Sequence, residues 1–437
     1  MRNKFFSMFD YLLILVVLTL VSLGVMFIYS SSINSEGVSV TNEYIKQIIW
    51  ASIGFVIMIA ATIYDYKRTA SLSFYFYIGL LILLVYTRLF GRYVNGAKSW
   101  IGIGEFGIQP SEFGKIFFIL YLAKILDDTA HINQLRRFFI ATVILLIPMG
   151  LILLQPDLGT ASVYLPIYFV MCFIAGIPIR YIGYVLLFGI FTIFFAILPV
   201  WNSEIAVSPL AIITILTNMR LRMVLTFAFL IITLLGYVIR RYLHGPRYIH
   251  WIIYFTSIIT MALVFSVILG KVLKDYQIKR LIIFMNPNKD PLGAGWNIIQ
   301  SKVAIGAGGV LGQGYLMGTQ SHYRFLPQQS TDFIFSILSE EFGFLGGIVV
   351  FSLYFMIFLK LLYIIRKCVN RYGAYICAGV LGMFSFHFFI NVGMVMGIMP
   401  ITGIPLLFLS YGGSSLLMAM TCIGLVMNIN YRKAELK

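Results

Sequence analysis

Long apolar runs constrain the fold of this 437-residue sequence more than any other feature. A helix needs about 20 apolar residues to cross a ~30 Å hydrocarbon core. There are twelve candidate spans, at residues 10–30, 45–64, 72–90, 111–126, 137–154, 158–176, 180–200, 221–239, 248–270, 332–360, 374–396 and 405–429. Charged residues make up 11% of the chain, against about 25% in soluble domains, and the mean hydropathy is +0.94. The sequence therefore predicts an all-α polytopic membrane protein.

Basic residues outnumber acidic ones, and the formal net charge is +16. In a soluble protein this excess would suggest nucleic-acid binding. In a membrane protein the positive-inside rule explains it, together with affinity for anionic lipid or a pyrophosphate-bearing substrate. If the spans alternate, one side collects Arg2, Lys4, Lys67, Arg68, Arg136, Arg137, Arg180, Arg240, Arg241, Arg247, Arg366, Lys367, Arg371, Arg432 and Lys433. We therefore predict a multi-pass protein of the cytoplasmic (inner) membrane, with both termini cytoplasmic and no nucleic-acid partner.

Two basic segments fall on the opposite, extracytoplasmic side: residues 88–109 and the large loop 271–331. Loops longer than about 12–15 residues are uncommon and usually functional or disordered. Within the large loop, Trp296, Ile299 and Val303 recur at helical spacing, and Lys302 lies between them. This pattern predicts a short interfacial helix with a snorkelling lysine. The alternative is a solvated loop.

An acid and a base occur together at the start of a predicted span. Glu112 and Lys115 are three residues apart and therefore neighbours on one helix face. Pro110 and Ser111 suit a helix start, with Ser111 as a candidate cap. The pair either fixes helix packing or lines a cavity in which Lys115 binds an anionic headgroup, because ionisable groups in spans tend to face a cavity or each other.

The stretch "LLQPDLGTA" (153–161) separates two apolar runs by only a short polar turn. The two helices must therefore form a tight hairpin. Asp157 in this turn has two interpretations: it caps the second helix, or it points into a polar cavity.

A further span begins in "STDFIFSILSEEFGFLGG" (330–347). Ser330 and Thr331 resemble helix caps, and Asp332 suits the positive end of the helix dipole. Glu340 and Glu341 lie about two turns deeper, so at least one of them should face protein or water.

The stretch "MPITGIPLLFLSYGGSS" (399–415) contains two prolines and three glycines. A spanning segment tolerates so many helix breakers only where its backbone lines a polar cavity. His387, in the preceding span, fits a buried and partnered residue better than a catalyst, and the sequence gives no reason to place it in the site.

Common catalytic patterns are absent from the sequence. There is no Ser/His/Asp order, HExxH, P-loop or GxGxxG pattern, and none of the four cysteines has CxxC spacing. Any chemistry must therefore depend on carboxylates, Lys and Arg side chains, or a metal.

Five long motifs, in this order, resemble the SEDS family of bacterial integral-membrane peptidoglycan glycosyltransferases. They are "GAKSWIGIG…IQPSE", "QPDLGTA", "DYQIKR…NPNKDPLGAGWNIIQSKVAIGAGGVLGQG", "FLPQQSTDFIFSILSEEFGFLGG" and "NVGMVMGIMPITGIP…LSYGGSS". The match covers most of the chain. It is more similar to the elongation branch of the family, RodA, than to the division branch, FtsW.

The resemblance implies ten core transmembrane helices, a large extracytoplasmic loop, and polymerisation of lipid II with release of undecaprenyl pyrophosphate. It implies a class B penicillin-binding protein and elongation-complex proteins as partners. It also implies a divalent cation, Mg²⁺ or Mn²⁺, with no organic cofactor. The family's essential loop aspartate falls on Asp290, and its conserved Glu, Lys and hairpin Asp fall on Glu112, Lys115 and Asp157.

The sequence also departs from the family pattern. The arginine that usually precedes the loop tryptophan is Ser99, with Lys98 one place earlier, so headgroup binding there is shifted. The usual "PERHTDF" is Gln328-Gln329-Ser330-Thr331-Asp332-Phe333 preceded by Pro327, which removes a Glu and a His. The largest departure is an apparent insertion at residues 201–247, which adds a helix pair to the ten core spans within a single 1–437 domain.

Two classes of function fit these features: a glycosyltransferase and a flippase for lipid-linked precursors. A polymerase acting outside the cytoplasm needs its key carboxylate in an extracytoplasmic loop, where Asp290 lies. We therefore expect Asp290 to be the general base. Pro291 biases it to extended backbone, and Lys289 and Arg280 are candidate diphosphate ligands. Lys98, Lys302, Asp332 and Glu340 complete the predicted substrate-binding set, with metal ligands unassigned.

Overall fold

The structure is a computed structural model, and it describes residues 9–94, 97–103, 106–204, 213, 216–242, 246–272, 283–284, 286–287, 290–291, 293 and 295–432. Fourteen helices lie in these ranges: α1 (Tyr11–Ser32), α2 (Glu43–Ile63), α3 (Tyr66–Phe90), α4 (Pro110–Asp128), α5 (Gln134–Leu154), α6 (Leu158–Ile174), α7 (Ile179–Glu204), α8 (Met219–Tyr242), α9 (Ile249–Val272), α10 (Trp296–Gly308), α11 (Thr319–His322), α12 (Ile334–Lys367), α13 (Arg371–Val395) and α14 (Gly413–Arg432). The nearly all-α fold that the sequence predicts is confirmed.

A small antiparallel sheet lies between α3 and α4. Its strands are β1 (Arg92–Val94), β2 (Ala97–Ile103) and β3 (Phe106–Ile108), in the order β1-β2-β3. Ile101 pairs with Ile108, and Gly102 with Gly107. The sheet leads directly into the N-terminus of α4, where Glu112 and Lys115 lie.

Twelve of the helices coincide with the twelve predicted spans. Ten of these, within the described ranges, are long and apolar enough to cross a membrane, which confirms a multi-pass membrane protein. The other two are α4, which carries several charged side chains, and α6, which has 17 residues. That they also cross the membrane stays a prediction. The last span was predicted too long, because the chain over 405–412 is not helical and α14 begins only at Gly413.

The chain forms two compact units. The first consists of Met1–Ile177 and Asn297–Lys437, and the second of Pro178–Trp296. The single domain predicted for the chain is therefore built in two parts. The second unit contains α7, α8 and α9, and with them the predicted insertion at 201–247. That this segment is an insertion relative to the family pattern stays a prediction.

Ion pairs join the helix ends at one end of the first unit. Asp10 caps α1, its Oδ1 accepting from the Leu13 N–H at 3.3 Å, and its Oδ2 lies 2.5 Å from Lys360 Nζ in α12. Asp65 caps α3 and lies 3.3 Å from an Arg432 guanidinium nitrogen. This is the end that the basic residues assign to the cytoplasm.

Helix α12 is broken at Gly343, whose φ and ψ are 62° and −157°. Four backbone hydrogen bonds to the segment 309–314 satisfy the groups that the break exposes: Gln313 N to Glu340 O (3.0 Å), Gly314 N to Glu341 O (3.0 Å), Phe344 N to Gly309 O (3.0 Å) and Leu345 N to Val310 O (3.2 Å). A Cβ at Gly343 would overlap the backbone of Val310 and Gly312. Since unpaired backbone groups are costly in a membrane, this part of the large loop completes the helix.

Candidate active site

A buried charged cluster lies at the N-terminal end of α4. The Lys115 ammonium is fully buried and donates to Glu112 Oε1 at 2.6 Å. It also lies 3.2 Å from Nε2 of His387, and the His387 Nδ1 lies 2.9 Å from the Pro405 carbonyl. Because that carbonyl can only accept, Nδ1 carries the proton and Nε2 accepts from Lys115. The pairing of Glu112 with Lys115 is confirmed.

The cluster is not saturated by its own side chains. An ammonium has three N–H groups, and Glu112 and His387 account for two of them. Glu112 Oε2 and Ser111 Oγ are buried without a hydrogen-bond partner among the described residues. Buried polar atoms without partners are costly, so the cluster offers both a donor and acceptors to a polar ligand.

Ser111 does not cap α4, contrary to the prediction. The N-cap is Gln109, with no side-chain cap bond, and Pro110 occupies the first turn. The Gln109 side chain instead donates from Nε2 to Asp157 Oδ2 at 2.8 Å. The proline fixes the helix start without needing a capping hydroxyl.

Asp157 is the N-cap of α6. Its Oδ1 accepts from the Thr160 backbone N–H at 3.0 Å, and its Oδ2 accepts from the Thr160 hydroxyl at 2.8 Å. With the bond from Gln109, the carboxylate joins the starts of α4 and α6. The capping interpretation is confirmed, and substrate binding by Asp157 stays a prediction.

Asn391 joins α13 to the non-helical segment 396–412. Its Nδ2 donates to the Asp332 carbonyl at 2.9 Å and to the Ile404 carbonyl at 2.8 Å, and its buried Oδ1 has no partner in the described part of the chain.

Asp332 is half-buried and precedes α12, whose N-cap is Phe333 without a side-chain cap. The predicted capping by Ser330 or Thr331 is therefore wrong.

Glu340 and Glu341 are both buried, which confirms that they face protein. Glu340 accepts from the backbone N–H groups of Gln320 (2.7 Å) and Ser321 (3.2 Å). Glu341 accepts from the Ser30 hydroxyl in α1. These contacts anchor α11 and α1 to α12, and substrate binding by Glu340 stays a prediction.

Asp290 belongs to the second unit and is exposed. Its carbonyl accepts from the N–H groups of Gly293 (3.3 Å) and Gly295 (3.1 Å), which folds the backbone into a tight turn. A Cβ at Gly293 would overlap the Asp290 carboxylate. The two glycines therefore lie in the turn that follows Asp290. Arg280 and Lys289 lie outside the described residues.

The two remaining predicted lysines are held by local contacts. Lys98 lies in β2, and its Nζ donates to the Leu89 carbonyl at 2.7 Å. Lys302 is exposed on α10, the short helix that the spacing of Trp296, Ile299 and Val303 predicts. Its side chain lies against Gly397. Their contacts with a substrate stay predictions.

Three functional candidates were missed by sequence reasoning: His387, Asn391 and Gln109. A signal for two of them was present, because His387 and Asn391 are four residues apart and so share one face of α13. Two polar side chains on one face of an apolar helix indicate a polar partner. That His387 meets Lys115, and that Asn391 meets two backbone carbonyls, could not be read from spacing.

A family model described as "Cell cycle protein", covering FtsW, RodA and SpoVE, matches residues 10–227 and 205–435. The chain is 55% identical to peptidoglycan glycosyltransferase RodA of Treponema pallidum, over 99% of this chain and 100% of that protein. The chain belongs to this family. Another member of the FtsW/RodA/SpoVE family, stage V sporulation protein E of Bacillus subtilis, is 32% identical over 96% of each chain.

Solved structures share the fold of this FtsW/RodA/SpoVE chain. One is a chain of a structure titled "Structural coordination of polymerization and crosslinking by a peptidoglycan synthase complex", with a TM-score of 0.68 and 25% identity over 98% of this chain and 99% of that one. Another is the rod shape determining protein RodA of Thermus thermophilus, with a TM-score of 0.59 and 22% identity over 98% of each chain. The second likeness supports the fold alone.

Proposed function

We propose that this protein is a peptidoglycan glycosyltransferase that polymerises lipid II into glycan strands for cell-wall elongation and rod shape. Each step would release undecaprenyl pyrophosphate. The observation that carries the proposal is the buried Lys115, one of whose N–H groups is not used by the described residues around it. The similarity of the chain to a named RodA glycosyltransferase supports it. A membrane-embedded ammonium is a point charge suited to phosphate.

The reaction joins a sugar 4-hydroxyl to C1 of a sugar carried on a lipid pyrophosphate. Because pyrophosphate is already a good leaving group, the difficult step is to make the neutral hydroxyl nucleophilic. A positioned carboxylate that takes the hydroxyl proton accelerates such a step by roughly 10²–10⁴. We assign this role to Asp290, which is exposed and whose backbone is held by the turn to Gly295.

A divalent cation, Mg²⁺ or Mn²⁺, is part of the proposal. No three His, Cys, Asp or Glu side chains come together as a metal site in the ranges that the structure describes. These residues do not provide an all-protein cage. Mg²⁺ commonly binds through one or two carboxylates together with substrate phosphates, so the pyrophosphate would have to supply ligands. We assign no step to the cation.

The location and partners follow from the same proposal. The protein would lie in the cytoplasmic membrane, with both termini in the cytoplasm, as the basic end of the first unit supports. A class B penicillin-binding protein would cross-link the strands, with other elongation proteins in the complex. The structural relative from a synthase complex that coordinates polymerisation and crosslinking supports this pairing.

The test is polymerisation of labelled lipid II by the purified protein in nanodiscs, followed by gel analysis of strand length. The Asp290→Asn variant, purified in parallel, controls for contaminating enzymes. We expect long strands from the parent only. Movement of lipid II between leaflets without polymerisation would favour the alternative function, a flippase. The relatives named as glycosyltransferases do not support that alternative.

A further inference from the structure

A polar pocket lies between the end of α1, the start of α2 and the segment 324–330. Its volume is about 340 Å³, near the lower end of the ~300–1,000 Å³ typical of small-molecule sites. Its polar lining includes Thr41, Glu43, Arg324, Gln328 and Gln329. None of these residues belongs to the Lys115 cluster.

A buried acceptor in this pocket lacks a partner. Gln329 is 9% exposed, and its Nε2 donates to the Ser31 carbonyl at 3.1 Å. That bond fixes the orientation of the amide, because a carbonyl can only accept. The Gln329 Oε1 has no hydrogen-bond partner among the described residues. A ligand that reaches this amide would satisfy Oε1 by presenting a donor.

The backbone beside Gln329 is held in an uncommon conformation. Arg324 and Gln328 have φ angles of 57° and 52°, in the left-handed region that non-glycine residues rarely adopt. The Gln328 carbonyl is fixed by the N–H groups of Thr331 and Asp332, at 3.3 and 3.1 Å. Strained residues of this kind cluster at functional sites and ligand clamps. Both residues line the pocket.

The pocket combines opposite charges. Glu43 and Arg324 both line it, and neither forms an ion pair within 4.0 Å in the described part of the chain. One carboxylate and one guanidinium leave the lining without net charge. Such a lining disfavours a diphosphate, which needs net positive charge, and offers donors and acceptors to a neutral ligand rich in hydroxyl and amide groups.

The pocket wall is linked to the candidate active site of the same unit through hydrogen bonds of the segment 330–332. The Ser330 carbonyl, on its wall, accepts from the Tyr411 N–H at 2.8 Å, and two residues later the Asp332 carbonyl is held by Asn391. Asn391 lies one helical turn from His387, the partner of Lys115. A sugar held in the pocket would thus be connected through one short segment to the charged cluster.

We propose that this pocket is a saccharide subsite, which binds an uncharged N-acetylated sugar of the glycan. The proposal rests on the proposed function, because the glycan comes from that reaction. Hydroxyl groups would donate to Gln329 Oε1 and Glu43, and the acetamido carbonyl would accept from Arg324. The volume suits one or two rings and not a longer strand.

The binding test uses full-length protein in nanodiscs and the disaccharide N,N′-diacetylchitobiose, with saturation-transfer NMR as the readout. We expect transfer to the acetamido and ring protons, and about a threefold to tenfold weaker affinity in Glu43→Gln and in Arg324→Gln, as for the loss of one or two hydrogen bonds. Glu36→Gln, in the same loop as Thr41 but outside the pocket, should bind like the parent. Inorganic pyrophosphate and an acidic tripeptide are the competing probes.

Equal disaccharide binding by the parent and both pocket variants would overturn the proposal, as would absence of transfer. Transfer to the tripeptide that the same variants abolish, or displacement of the disaccharide by pyrophosphate, would assign the pocket to another ligand and also overturn it. Because the readout needs no turnover, it also works in Asp290→Asn. Disaccharide binding without lipid II polymerisation by the parent would contradict the proposed function while leaving the saccharide subsite intact.

Discussion

His387 Nε2 lies 3.2 Å from Lys115 Nζ, although the two residues are 272 positions apart in the chain. The bond from His387 Nδ1 to the Pro405 carbonyl fixes the neutral tautomer that can accept from the ammonium. Lys115 is therefore held from two sides, by a carboxylate in its own helix and by an imidazole in α13. Its third N–H is the one that the proposal assigns to the substrate pyrophosphate.

Removing the charges of the pair should remove activity. We expect Lys115→Met/Glu112→Gln to lower kcat/KM for lipid II by about 10- to 100-fold, since a hydrogen bond from a charged group is worth roughly 1.5–3 kcal/mol. The exposed pair Lys124 and Asp128, also in α4, gives the control Lys124→Met/Asp128→Asn, which should keep parent activity. Normal polymerisation by the first double variant would mean that the pair serves packing alone.

The single variant Lys115→Met should be less stable than the double variant. It leaves Glu112 buried without its counter-ion, and breaking a buried pair from one side costs roughly 3–5 kcal/mol. Thermal unfolding of the three proteins in one detergent measures the order, which we expect to be parent, double variant, single variant. A single variant as stable as the double would show that water reaches Glu112.

His387 should position Lys115. We expect His387→Ala to lower polymerisation by roughly threefold to tenfold, the value of one neutral hydrogen bond. His387→Gln should recover part of this loss, because its Oε1 can accept from Nζ. His131 is exposed, so His131→Ala is a control for loss of a histidine. Equal activity of the alanine and glutamine variants would show that the hydrogen bond from Lys115 to residue 387 does not affect polymerisation.

Asp290→Asn should lower the polymerisation rate at least about 100-fold, because the amide keeps the shape of the side chain and cannot take a proton. Single-turnover assays with saturating lipid II measure this rate. Folding and partner binding are checked by size exclusion with the penicillin-binding protein. A rate above about a tenth of the parent's would make Asp290 a structural residue.

Gly293→Ala should reduce activity by displacing the Asp290 carboxylate, which occupies the space that the new Cβ needs. Because Asp290 is an exposed residue, we expect little change in unfolding temperature and a loss of roughly tenfold or more in rate, in keeping with misplacement of a catalytic group. Gly306→Ala, at a helical glycine with open space around it, is the matched control. Identical rates for the two alanine variants would show that the close approach of Gly293 to the Asp290 carboxylate is not needed for activity.

Much of the architecture could be predicted because it depends on local patterns. Apolar runs predicted all twelve long helices, since each needs only its own composition to be recognised. The pairing of Glu112 with Lys115 followed from their i, i+3 spacing. Capping by Asp157 was one of two predicted alternatives. It is the one observed, because both the N–H and the hydroxyl of Thr160 donate to the Asp157 carboxylate.

The caps predicted at Ser111, Ser330 and Thr331 are wrong because the helix starts are satisfied in other ways. A capping hydroxyl is only one way to satisfy the first turn of a helix. At α4 a proline at the first position fixes the start, and before α12 the N–H groups of Thr331, Asp332 and Phe333 are used by the Gln328 carbonyl. The start of α14 moved to Gly413 because its preceding residues make turns and long-range bonds in place of a helix.

The sequence by itself determined the membrane helices, the basic end and the Glu112–Lys115 pair, because hydrophobicity and helical spacing are properties of neighbouring residues. Only the tertiary structure decided that His387 faces Lys115, that Asn391 holds the chain before α12, and that residues 309–314 complete α12 across Gly343. These contacts join segments far apart in sequence, and each arises because a polar group buried in a membrane protein must find its partner wherever the packing of the helices brings one.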